Sequence, residues 1–266
     1  MTAVVLEKKN AIATITLNRP EALNALDAAM TVELHAAVAD VEFDDTIRAV
    51  VISGAGKHFM AGGDVKFFAE TLTNHSDPLE RRTIFEGFVG RLHPVMTALR
   101  RMPKPVIASV KGAAAGFGLS LMMACDLALA AEDSYFTLAY VNIGTSPDGS
   151  STYVLPRLVG TKRAMEIAFL GDRFDAHRAL ELGLVNRVVP TPELAGATMQ
   201  LAERLAAGPT YAIGRTKRLV NHSLENTFDT QLQLEAEAFA SCAASEDFIR
   251  GALAFASKTK PDFIGR

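Results

Sequence analysis

The chain has 266 residues, about half of them hydrophobic, with 27 Lys and Arg against 30 Asp and Glu and only two cysteines. That is enough apolar content for a sizeable core in one large domain or a domain plus an extension. A net charge of −3 without a basic stripe argues against a nucleic-acid binder, so an anionic ligand must be met by locally placed donors.

Cys125 and Cys242 lie far apart without metal spacing and read as buried thiols of a reducing compartment. The N-terminal MTAVVLEKKNAIATITLNRP lacks a basic start and a sustained apolar run, so it is no signal peptide. The longest apolar stretch, residues 112–125, is too short to span a bilayer. A soluble, cytoplasmic protein without membrane or nucleic-acid partners is expected, and His35, His58, His75, His177 and His222 show no metal spacing with partners.

In chain order, alternation of apolar and polar residues over 11–17 predicts a half-buried strand. After a turn at Arg19-Pro20, Asp27 is placed to cap a helix carrying Met30, Leu34, Val38 and Val41 on one face. Residues 49–53, AVVIS, form a short apolar strand that ends in the glycine-rich GAGKHFMAGGD. Residues 69–92 are polar, with a helix expected from Leu79. Residues 105–110 are a third strand, followed by a second glycine-rich segment and an apolar helix, and residues 126–131 are a fourth. A loop holding Gly144, Pro147 and Gly149 follows, and then helices and strands alternate to Val189. The helix over 161–170 is expected to be capped by Thr161 and stopped by Gly171. From Pro192 the reading is almost all helix. The pattern as a whole predicts an α/β core, residues 1–191, with helices outside its sheets and a helical extension over 192–266.

Two loops stand out, FMAGGD at 59–64 and KGAAAGFG at 111–118, each where a strand hands over to a helix. Glycine lets the backbone approach a ligand closely, and a helix N-terminus presents unpaired N–H groups. Two such loops can aim two backbone donors at one oxygen, an oxyanion hole. Either loop alone is equally an ordinary turn. Neither matches a dinucleotide fingerprint or a P-loop.

The residues RPEALNAL at 19–26, FMAGGD at 59–64, KPVIA at 104–108 with the glycine loop and helix to Asp126, LPRLVG at 155–160, GDR at 171–173, residues 179–185 and KPDFIGR at 260–266 resemble the enoyl-CoA hydratase/isomerase (crotonase) family, over nearly the whole chain and in order. The resemblance implies a spiral of β-β-α units with a C-terminal helical trimerisation region, hence a homotrimer or a dimer of trimers. It implies an acyl-CoA thioester whose carbonyl oxygen is held by the backbone N–H groups of Gly63 and Phe117, with coenzyme A part of the substrate and no separate cofactor. Phe117 stands where glycine is usual, which a backbone donor tolerates if its dihedrals are not left-handed. Ala22, Ala61 and Lys66 match positions near the coenzyme, and Phe255 and Lys258 match positions reaching a neighbouring subunit's ligand. Glu21 departs from the pattern by replacing a residue that is often basic in hydratases.

The hydratases' two glutamates fall at Ser120 and Tyr140, neither of which is a useful base near neutral pH. One carboxylate remains, Asp148, where isomerase-type members carry an aspartate after a proline. The resemblance implies that it moves a proton between the α and γ carbons of an acyl-CoA, and an apolar pocket would make it a stronger base. The same residue also reads as the N-cap of the helix after DGSS. Aryl-CoA dehalogenase members use it as a nucleophile, with a Trp at the position of Tyr140 and a His at that of His93. Isomerase is the leading expectation. A dehalogenase or thioesterase acting through an aspartyl ester, a hydratase with a non-standard base and a non-catalytic acyl-CoA binder stay open. Asp64 and Asp126 read as local structural acids, and Met122-Met123 as core or acyl-pocket lining.

Overall fold

The computed structural model describes residues 2–266. Its main sheet has six strands, in the order β1 (Val4–Lys9), β2 (Ile12–Leu17), β3 (Ala49–Gly54), β4 (Val106–Val110), β6 (Leu127–Ala131) and β9 (Arg187–Val189). Only the β1–β2 hairpin is antiparallel. A smaller sheet joins β5 (Ala113–Ala115), β7 (Tyr135–Thr137) and β8 (Phe174–Asp175). From β4 to β7 successive strands alternate between the sheets; β8 stays in the smaller sheet and β9 returns to the main one. This alternation turns the chain into a spiral whose turns end in helices.

The strand interiors show why both faces must be covered. In β3, Val50 and Ile52 join the main core with Met30, Leu34 and Val38 of α1 (Ala28–Glu42), while Ala49 and Val51 face Leu194, Ala202 and Ala206 of α9 (Leu194–Ala206). A parallel strand buried on both faces reads as a continuous apolar run, as AVVI does. Thus α9, the first long helix of the C-terminal region, is a layer of the α/β core. Beyond it α10 (Thr210–His222), α11 (Phe228–Ala243) and α12 (Glu246–Ala256) lie further out.

Several expectations meet the structure directly. Asp27 caps α1 by accepting from Met30 N at 2.8 Å, and Asp64 caps α2 (Val65–Asn74) by accepting from Lys66 N at 3.0 Å. The polar stretch is two helices, α2 and α3 (Pro78–Gly90), followed by α4 (His93–Arg101), so helix begins well before Leu79. The helix α7 (Thr161–Leu170) stops at Gly171, but its N-cap is Gly160 at φ 78°, and Thr161 is its first helical residue. Asp126 is not local: its carboxylate accepts from Val106 N at 2.8 Å and pairs with Lys217 of α10 at 2.7 Å. Met122 and Met123, on α5 (Phe117–Ala124), belong to the core. Both cysteines are free, and each is only partly buried. No helix among the described residues is long and apolar enough to cross a membrane.

Candidate active site

The segment RPEALNAL is the strut beneath the first glycine loop. Asn24 is fully buried at φ 56°. Its Oδ1 accepts from Arg19 N at 2.9 Å, and its Nδ2 donates to the carbonyls of Ala55, His58 and Phe59 at 3.0, 2.8 and 3.2 Å. Arg19 donates to the Asp64 carboxylate at 3.1 Å. Backbone bonds then lock the loop: Leu26 N to Gly62 O at 2.7 Å, Asp64 N to Leu26 O at 2.9 Å and Ala61 N to Leu23 O at 3.1 Å.

The second loop is knitted to the first. Met60 N donates to Ala113 O and Ala115 N to Met60 O, each at 2.9 Å, and His58 Nδ1 accepts from Ala113 N at 3.0 Å. The accepting Nδ1 puts the neutral ring's proton on Nε2. Gly62 and Gly116 touch: a Cβ added to Gly62 would lie 3.5 Å from Gly116 Cα and from Phe117 N. The positive φ that the loop needs falls on Gly116, at 52°, so Phe117 starts α5 without one. Among the described residues the N–H groups of Gly63 and Phe117 donate to no protein acceptor. The structure therefore places the two expected donors on adjoining loops and leaves both unused. Phe68 of α2 packs on Gly63, its ring 2.5 Å from where a Cβ would stand, within a cluster with Phe67, Phe85 and Phe88.

Asp148 reaches this platform on the loop after a single 3₁₀ turn, Tyr140–Ile143. Gly149, at φ 57°, presses that loop onto α5, where an added Cβ would come within 2.8 Å of Phe117 and Ser120. The Asp148 carboxylate accepts a short hydrogen bond from the Tyr140 hydroxyl. Its side chain caps nothing: α6 (Ser151–Val159) has Ser150 as N-cap without a side-chain bond, and toward this helix only the Asp148 carbonyl accepts, from Ser151 N at 3.2 Å and Ser151 Oγ at 2.8 Å, as it does from Ser120 Oγ at 3.1 Å. The capping alternative is thus not what this carboxylate does. Burial raises the Asp148 pKa above the ordinary carboxylate value, against the opposing pull of the Tyr140 hydrogen bond and of His93's charge. Tyr140 is itself buried, and burial together with Asp148 pushes its pKa far up. It is a neutral donor, and neither it nor Ser120 is a base.

His93, the first residue of α4, is exposed and makes no hydrogen bond to Asp148. Ala22 and Ala61 are half-buried beside the first loop, and Lys66 is exposed on the first turn of α2. Phe255 and Lys258 lie at the exposed end of α12. A single chain does not bring these two to the Asp148 site. Sequence reasoning passed over Asn24, Arg19 and His58 as parts of the site. Asn24 lay inside the quoted motif, but a buried asparagine in a left-handed turn announces itself only once its acceptors are known.

An α/β spiral with two unused backbone donors beside a half-buried carboxylate is an arrangement that can stabilise developing negative charge on an oxygen. A sequence profile of the enoyl-CoA hydratase/isomerase family matches residues 7–266, and the chain is an enzyme of that family. It is 37% identical to 1,2-epoxyphenylacetyl-CoA isomerase of Escherichia coli (strain K12) over the full length of both chains. It is 35% identical to a short-chain-enoyl-CoA hydratase of Clostridium acetobutylicum, over 97% of this chain and 95% of that one. A crystal structure described as an enoyl-CoA hydratase/isomerase from Mycobacterium abscessus matches with a TM-score of 0.94 at 36% identity, covering 99% of this chain and 100% of that one.

Proposed function

We propose that this enzyme is an enoyl-CoA isomerase that moves a double bond by a 1,3-proton shift. The observation that carries the reading is the company Asp148 keeps: its basicity is raised by burial, it is held against the helix whose first amide is unused, and the other carboxylate of the loops, Asp64, is committed to Arg19 and to capping α2. In this reading the thioester oxygen of a 3-enoyl-CoA accepts from Gly63 and Phe117 N–H. The Asp148 carboxylate removes a proton from the α carbon. The resulting dienolate keeps its charge on the bound oxygen, and Asp148 returns the proton to the γ carbon, leaving the 2-enoyl thioester. One base suffices because the proton taken is the proton given back, and no water is consumed. The similarity to an isomerase supports this. Hydratase relatives leave the reaction open, but Ser120 and Tyr140, at the positions expected to carry the hydratases' acids, have no carboxylate to activate water.

The rest of the expected site is proposed with it. Ala22, Ala61 and Lys66 lie along the coenzyme, and Phe255 and Lys258 serve the ligand of a neighbouring copy in a homotrimer or a dimer of trimers. The exposed apolar side chains of Phe239, Phe248, Ile249, Leu253 and Phe255 support such an assembly, since closed symmetry is the usual way to cover such faces. The test is incubation with 3-enoyl-, 2-enoyl- and aryl-CoA thioesters in heavy-oxygen water, with products followed by mass. A double-bond shift without mass gain is expected. Addition of one water would make the enzyme a hydratase, and labelled free acid or a hydroxylated ring would make Asp148 a nucleophile.

A further inference from the structure

Ser120 and Tyr140 are chemically idle in the reaction above, yet both are spent on the same residue. Ser120 has one proton and three oxygens within reach: the Asp148 carbonyl at 3.1 Å, the Tyr140 hydroxyl at 3.3 Å and the Gly116 carbonyl at 3.4 Å. The nearest is the Asp148 carbonyl, which also accepts from Ser151 N and Ser151 Oγ. Tyr140 also has one proton, and the carboxylate oxygen Oδ1 of Asp148 can only accept, so the phenol donates there. Asp148 is gripped twice, by its carbonyl and by Oδ1, while Oδ2 makes no protein hydrogen bond among the described residues. The backbone is strained around this grip: Ala139 and Ser150, just outside the pair, sit at φ 53° and 66°. Non-glycine residues hold such angles at a cost and only where surrounding structure imposes them.

We propose that Tyr140 is a positioning residue: its hydroxyl fixes Oδ1 of Asp148 so that Oδ2 is the oxygen that takes and returns the proton, with Ser120 anchoring the same aspartate through its carbonyl. This rests on the reading of Asp148 as the base. The groups that face the carboxylate are Tyr140 from the 3₁₀ turn, Ser120 from α5 and His93 from the start of α4. Of these, Tyr140 and His93 oppose the rise caused by burial. Removing the phenol hydroxyl therefore raises the proton affinity of Asp148 and frees the carboxylate to rotate.

The experiment pairs kinetics with a titration that needs no substrate. In Y140F, kcat on a 3-enoyl-CoA should fall about 10-fold, because a base turned out of line loses its near-attack geometry. KM should stay within about twofold. The acid limb of the kcat profile should move up by about one pH unit. In the ligand-free enzyme, the infrared carboxyl band of Asp148, isolated by subtracting the matching D148N spectrum, should titrate higher in Y140F than in wild type. If Y140F does not fold, fluorotyrosine at position 140 keeps the ring and strengthens the donor, and the band should titrate lower. An unshifted band in either variant, with D148N inactive, would overturn the positioning role alone. Turnover retained by D148N would overturn the base reading and this role with it, whatever the titration gives.

Discussion

The loop platform over residues 19–26, 59–64 and 112–118 and the outer C-terminal helices are built on different terms. In the platform the polar groups that hold the loops find their partners within the chain, as Asn24 and its four bonds show. Among the described residues the amides of Gly63 and Phe117 are left without a protein acceptor. In α11 no residue is buried, and Phe228 and Phe239 stand 77% and 69% exposed, as does Phe255 of α12 at 88%. Some apolar surface is normal on any protein, but rings gathered on neighbouring helices mark a face that meets something. The contrast is that the platform satisfies its polar groups within one chain, while the helices beyond α10 leave apolar rings that the chain itself does not cover.

The largest effect on the fold is expected in the platform. Asn24→Ala leaves an amide and three carbonyls without their shared partner and puts alanine at a left-handed angle, which should cost about 3 kcal/mol by urea unfolding. A loss below about 1 kcal/mol would mean that the backbone bonds alone hold the loop. Gly149→Ala should come next. Its φ of 57° and the 2.8 Å approach to Phe117 and Ser120 should cost about 1–2 kcal/mol and shift Asp148, lowering turnover about 10-fold; unchanged kinetics would show that the loop is free to adjust. Phe239→Glu with Phe255→Glu should change the chain's own stability by under about 0.5 kcal/mol, yet dissociate the assembly in light scattering. A double variant that keeps the wild-type mass would break the comparison drawn between the two regions.

The smallest effect concerns pH. Asp148 has a folded pKa above its unfolded one, so the native state holds the proton more tightly. Below the unfolded pKa both states are protonated and nothing is lost. As pH rises through the interval between the two values, the wild type loses stability, and the deficit persists at neutral pH. Asp148→Asn carries no such deficit. It should be at least as stable as wild type at pH 7, with its relative advantage shrinking toward pH 4 in paired thermal melts. An advantage that grows toward acid would contradict the sign.

Much of this was legible in the residues, for physical reasons that differ by element. The α1 cap and face follow from a 3.6-residue period, and the glycine loops from strand-to-helix handover. The first strand escaped because VVLEKK is an edge strand with its second half exposed, joined to β2 through Asn10 and Ala11 at φ 51° and 63°, an angle that alanine does not advertise. Strands β5, β7, β8 and β9 have two or three residues each, too few for any period to show. Asp148 was visible as the surviving carboxylate, but its choice between capping and catalysis turned on the Tyr140 hydroxyl, eight residues away in sequence and in contact only after the turn at 140–143 is made. The strut formed by Asn24 and His58 depends on carbonyls at 55–59 and on the amides of Arg19 and Ala113, and it has no linear signature.

Asp148→Asn turnover of a 3-enoyl-CoA tests the role of this carboxylate most directly, measured with folding and mass verified against wild type and with substrate affinity measured separately. The replacement keeps the shape and can still accept from Tyr140, but it cannot take a proton. Turnover should fall at least about 100-fold with affinity near wild type. Turnover within a few-fold of wild type, by a variant that is equally stable and binds equally well, would contradict the claim that this carboxylate moves the proton.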